Sequence, residues 1–261
     1  MAISAQELAD LMPDTSQLES NEPEMESSLH YAQLALLVTC LEWLWRERND
    51  FFIGANLTIY FSREQLKNRD FRGPDFFLFN NVEKKARKSW VVWEEGGRYP
   101  DLIIELLSES TAKTDRNLKK ALYQERFRTP EYFWFSPETL EFEGYRLMGN
   151  TYEEIIPDES GYLWSQSLSL YLGVYQEQLR YFQTNGNLVL TPGEYGEQSV
   201  LKAEAERQKA EAERQKAEVE KKKAEAEKQK AEAEKQKAEA EKQRADKLAR
   251  QLRKLGIEPE A

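Results

Sequence analysis

The chain has 261 residues, a formal net charge of −10 and one cysteine, Cys40. One cysteine excludes an intramolecular disulfide. The longest apolar run, residues 34–45, is interrupted by Glu42 and falls short of the ~20 residues that a membrane helix needs.

The charge is unevenly divided. From Lys202 onward there are 18 Lys and Arg against 15 Asp and Glu, which leaves 19 against 32 before it, a net of −13. Nucleic-acid binders commonly show a basic surface, so this balance argues against a simple, tight DNA-binding role. The first residues lack the basic-then-apolar pattern of a secretory signal, and cysteine pairs are absent. The expectation is a cytoplasmic protein with no membrane partner.

Residues 1–25 are polar, with Pro13 and Pro23, and are expected to form a loose N-terminal arm. Residues 26–48 predict a helix, because Leu29, Leu34, Leu37, Leu41, Leu44 and Trp45 recur at three- and four-residue steps. Strands are expected at 56–60 (NLTIY), 75–79 (DFFLF), 90–93 (WVVW) and 101–107 (DLIIELL). A second helix is expected over 111–126. Residues 131–135 and 140–147 read as a hairpin turned at Ser136-Pro137-Glu138. Residues 151–193 suggest further short strands, with turns at Pro157, Gly161 and Asn185-Gly186. The predicted class is α/β or α+β, a mixed sheet with flanking helices over residues 26–195.

Residues 196–261 are different. From Lys202 the sequence repeats every seven residues (KAEAERQ, KAEAEKQ). Helix propensity is high throughout, and oppositely charged residues sit three and four apart. The seam of Ala205, Gln208 and their repeats buries little apolar area. A long solvated helix is expected, with weak coiled-coil homo-oligomerisation as the secondary expectation. Leu248, Leu252 and Leu255 give its end a better apolar stripe.

His30 is the sole histidine, so a multi-histidine metal site is excluded. There is no glycine-rich phosphate loop and no CxxC pair. Cys40, inside an apolar run, reads as a small buried hydrophobe. Carboxylates and lysines remain. Asp75 follows Gly73-Pro74, and Asp101 follows Pro100. Side chains repeat every two residues along a strand, so Asp101, Ile103 and Glu105 share a face. Glu105 lies between Ile104 and Leu106, where a carboxylate is costly unless paired, protonated or metal-bound. Two readings stand: an ion pair of Glu105 with Lys119 or Arg116, or a Mg²⁺ site, since that ion takes one or two carboxylates plus waters.

The stretch YPDLIIELLSESTAKTDRNLKKALYQERFRTPEYFWFSP, residues 99–137, resembles the signature of the Uma-type restriction-endonuclease family (domain of unknown function 820). The matching residues are Pro100, Asp101, Glu105, Ser108, Thr111, Asp115, Lys119, Tyr123, Pro130, Glu131 and Tyr132. The resemblance extends over roughly residues 26–190. It implies a restriction-endonuclease-like fold of the PD-(D/E)XK group and Mg²⁺-dependent cleavage of nucleic acid, DNA first. It implies Asp75 and Glu105 as catalytic metal ligands and Lys119 as the catalytic lysine, since Leu107 stands where the strand lysine usually lies. Glu26 and Asp101 would support the site. The other reading is an inactive nuclease-like scaffold whose charged tail binds a protein partner.

Overall fold

The computed structural model describes residues 18–20, 22, 25, 27–62, 73–108 and 112–254, the last range with side chains from Asn117 onward. The chain divides into two units, Met1–Tyr195 and Gly196–Ala261.

In the first unit, helix α1 (Ser28–Leu44) starts where the Ser27 side chain accepts a hydrogen bond from the His30 backbone N–H. This is an N-cap, and it fixes the helix start two residues later than the periodicity predicts. Leu34, Leu37, Leu41 and Trp45 face the core as expected, whereas Leu29 is exposed. Strand β1 (Phe51–Ala55) follows, where no strand is predicted. Then come β2 (Ile59–Tyr60), β3 (Phe76–Asn80), β4 (Trp90–Val91) and β5 (Leu102–Leu106). The predicted strand at 90–93 is short because residues 93–97 turn away, with Gly96 and Gly97 at positive φ. Helix α2 (Ala112–Leu122) runs into a π-helical turn, Tyr123–Phe127. Strands β6 (Glu131–Phe135), β7 (Phe142–Met148), β8 (Thr151–Glu154), β9 (Leu163–Ser165), β10 (Leu170–Tyr175) and β11 (Gln178–Phe182) complete the unit.

The main sheet has six strands in the order β1-β3-β5-β6-β7-β8. Only β5 and β6 pair in parallel within it, so the sheet is mixed. Alternation along β5 sorts the core. Leu102, Ile104 and Leu106 face α1 and the sheet β9–β10–β11, while Ile103 and Leu107 face Tyr123, Phe127 and Trp90. Both faces are therefore covered, and β5 and β6 are buried at every position.

Glu131, a residue of the signature, anchors loops. Its buried carboxylate accepts hydrogen bonds from Arg146, the Ser165 hydroxyl and the backbone N–H groups of Gln166 and Ser167. Strands β10 and β11 are joined by Gln176 and Glu177, both at positive φ. Two such residues make a turn that matches strand twist, here without the usual glycine.

Helix α3 (Pro192–Lys254) opens with a reciprocal cap. Glu194 donates its backbone N–H to Thr191 Oγ1, and Thr191 donates its own to Glu194 Oε2. Pro192 occupies the first helical position, where its missing N–H costs nothing. Over its 63 residues no side chain is buried. No described helix is long and apolar enough to cross a membrane.

Two glycines lie under cross-strand phenylalanines. Gly54 pairs with Phe77 and Gly144 with Phe133. A Cβ at Gly144 would lie 2.5 Å from the buried Phe133 ring and 2.9 Å from Leu163. Gly144→Ala is expected to destabilise the domain by about 1–3 kcal/mol, the usual cost of overpacking. Urea unfolding checks this; an unchanged midpoint would mean the ring can move aside.

Candidate active site

The pairing register builds the site. Phe76 stands opposite Ile104 and Phe77 opposite Ile103, antiparallel. Continuing that register one step places Asp75 opposite Glu105. Directly opposite residues of an antiparallel pair share a face. Asp75 is held there by the Leu106 backbone N–H, which donates to Asp75 Oδ2 at 2.8 Å.

Glu105 is 1% exposed. Both its oxygens accept hydrogen bonds: Oε2 from Lys119 Nζ at 2.9 Å and Oε1 from the Tyr123 hydroxyl at 2.6 Å. Lys119 and Tyr123 are four residues apart, so they lie on one face of the helical segment. The π-helical turn then widens the winding. The Arg128 N–H donates to the Tyr123 carbonyl, and Arg128 leaves the turn at φ +53°. Such turns inside helices often mark functional positions. Lys119 keeps 20% of its side chain exposed, so the ion pair reaches solvent on one side.

The Asp75 and Glu105 carboxyls thus face each other across the strand pair. Burial, followed by the Glu105 charge, pushes Asp75 well above its usual carboxylate range, and Lys119 opposes the shift. The Tyr123 hydroxyl is likewise held protonated, by burial first and then by Glu105.

The structure thus brings Asp75, Glu105 and Lys119 together. It does not bring Asp101 to them. Asp101 lies four residues before Glu105 on the strand, about 13 Å away at ~3.3 Å per residue. There it accepts the Asn80 N–H at 2.7 Å and pairs with Arg98. Sharing a face is not sharing a site, so Asp101 is corrected to an anchor of the far strand end. Glu26 lies outside the described residues. Asp115 falls within α2, in the range without described side chains. His30 is buried at the start of α1, with Nδ1 bonded to Ser27. Burial raises the Cys40 thiol to about 11, which leaves it inert as a nucleophile.

Sequence reasoning missed Glu22. Its Oε1 accepts the Thr58 hydroxyl at 2.7 Å. Burial raises it above its usual range, with the Thr58 and Gly73 hydrogen bonds opposing. It also feels the charges of Lys119 and Glu105. A Cβ at Gly73 would lie 2.3 Å from the Leu57 carbonyl and 3.0 Å from Glu22 Oε1. The glycine of Gly73-Pro74-Asp75 therefore admits the N-terminal segment. Glu22 sits among polar residues with no periodicity, so only that glycine was a signal. Among the described residues, no three His, Cys, Asp or Glu side chains converge on one metal position. Asp75 and Glu105 act as a pair.

A mixed sheet that sets an aspartate beside a glutamate, with a lysine from a flanking helix, has the restriction-endonuclease-like arrangement. The family model of Uma2, described as "Putative restriction endonuclease", matches residues 17–180, and the chain belongs to that family. Among solved structures, a protein from Anabaena variabilis described as a "putative nuclease belonging to DUF820" is similar at 17% identity and a TM-score of 0.40. That match covers 58% of this chain and 80% of the other. No curated protein matches the chain.

Two measurements test the site as built. Asp75 binds its proton more tightly folded than unfolded. Its contribution to stability is complete below pH ~3.9, the unfolded value, and is lost as pH rises towards the raised one. In EDTA, Asp75→Asn is therefore expected to raise the thermal midpoint at pH 8. The gain should be roughly 2–4 °C per kcal/mol of relieved repulsion, shrinking towards pH 4. A gain independent of pH would contradict the raised Asp75. Tyr123→Phe removes a hydrogen bond to a charged group and should cost about 1.5–3 kcal/mol in denaturant unfolding. A cost near zero would mean that Glu105 finds another donor.

Proposed function

We propose that this chain is a Mg²⁺-dependent nuclease that hydrolyses phosphodiester bonds of nucleic acid, DNA being the first substrate to try. The observation that carries this reading is the Asp75–Glu105 carboxyl pair with Lys119 beside it.

The residues fit a hard cation. Two carboxyls set opposite each other repel when both are charged, which a divalent ion relieves, and Mg²⁺ takes one or two carboxylates plus waters. Asp75 and Glu105 would hold it. When bound, the ion polarises a phosphoryl oxygen and lowers the pKa of a bound water. The rest falls to the chain itself. Tyr123 keeps Glu105 in one rotamer and excludes water from behind it. Asp75 yields its proton on loading, so cation affinity rises with pH. Lys119, partly exposed, offers its ammonium to the charge that develops on the phosphate. Glu22 adds negative charge on the Thr58 side.

Plasmid nicking by the purified protein, with Mg²⁺ or with EDTA, tests this for the wild type and Glu105→Gln. Cation-dependent nicking is expected, reduced at least ~10³-fold in the variant. That is the rate equivalent of several kcal/mol of lost charge stabilisation. Equal behaviour of both proteins with and without Mg²⁺, on DNA and RNA, would place the chain with non-catalytic scaffolds and turn attention to partners of its tail.

A further inference from the structure

Helix α3 carries its charge in two parts. Over residues 202–241 twelve Lys and Arg are matched by twelve Glu. Opposite charges sit three and four residues apart, so this stretch is a neutral rod, with Lys222 and Glu218 paired at 2.9 Å. Over residues 242–254 the balance breaks. Lys242, Arg244, Lys247, Arg250, Arg253 and Lys254 meet one acid, Asp246, a net of +5. All six cations are exposed. Lys247, Arg250 and Lys254 recur at three and four residues and share one face, while Leu248 and Leu252 share another. The helix's whole excess of positive charge thus lies in its last thirteen residues, about 20 Å at ~1.5 Å per residue.

We propose that residues 242–254 form a sequence-independent binding site for the phosphate backbone of nucleic acid. The choice of polyanion rests on the nuclease reading above. The residues before Lys202, of net −13, repel such a substrate, whereas Lys and Arg contacts normally supply its affinity through counterion release. Within helix α3 the tip is where cations accumulate without matching acids. Like-charged tips repel each other, which disfavours tip-to-tip pairing. Two described leucines make a narrower apolar face than a helix lying on a membrane uses.

Fluorescence anisotropy of a labelled DNA duplex with the full chain in EDTA tests this without cleavage. In K247Q/R250Q/R253Q/K254Q, affinity near 0.1 M salt should fall at least about tenfold, and the log–log salt slope should flatten by about 3–4. Glutamine keeps helix propensity, and circular dichroism checks that the helix remains. The control K230Q/E232Q/K237Q/E239Q leaves net charge unchanged and should bind like wild type. A tip variant that binds like wild type overturns the proposal. So does a wild type that fails to bind the duplex, or that instead sediments with phosphatidylserine vesicles. Tip-dependent binding without Mg²⁺-dependent nicking keeps this site and removes the nuclease reading. Nicking with tip-independent binding does the reverse.

Discussion

One buried carboxylate sets the conditions for the rest of the domain. Glu105 lies on a central strand covered on both faces, where an isolated charge would be prohibitive. The fold meets this with a cation, Lys119, a hydroxyl, Tyr123, and a neighbouring carboxyl, Asp75, whose own charge is disfavoured by burial and by Glu105. All three depend on elements outside β5. Lys119 requires helix α2 to pack over the sheet. Tyr123 requires the winding to widen where it does. Asp75 requires the antiparallel register with β3. The site and the fold are thus one arrangement, and removing Glu105's partners would leave an uncompensated charge in the core.

The sheet also explains why some acids are catalytic candidates and others are not. In β5 both Asp101 and Glu105 point to the same side, yet they mark opposite ends. Asp101 meets the Asn80 backbone N–H and Arg98 at one end, and Glu105 meets Lys119 at the other. Glu131, one strand further, is as buried as Glu105 but is saturated by two backbone N–H groups, a hydroxyl and an arginine. Its donors are all structural, and it ties β6 to the loop before β10. Glu105 differs because its donors among the described residues are two side chains, Lys119 and Tyr123, and its cross-strand neighbour is a carboxyl.

The two units follow different rules of stability. The first is held by aromatic and aliphatic burial on both faces of the sheet, with glycines admitting cross-strand rings. The second has no buried side chain among its described residues and relies on helix propensity and charges spaced three and four residues apart. Because its charges cancel along most of its length, any net electrostatic character is confined to its tip.

Much of this was readable in advance. Periodicity marks α1, apolar runs mark β3, β5 and β6, and the seven-residue repeat marks the long helix. A carboxylate inside an apolar strand, with Lys119 on the helix that follows, points to Glu105 and its cation, whereas Tyr123 as its second donor is seen only in the structure. Other features depend on contacts between distant segments. Strand β1 carries no alternation and owes its form to pairing with β3, with Phe77 lying over Gly54. The exclusion of Asp101, the approach of Glu22 through Gly73 and the widened turn at Tyr123 follow from register and packing. The sequence by itself determined which segments can be helix or strand and which carboxylate must be paired, since these are matters of local pattern and burial cost. Only the tertiary structure decided which acids stand opposite each other, because register is a property of two strands and not of either one.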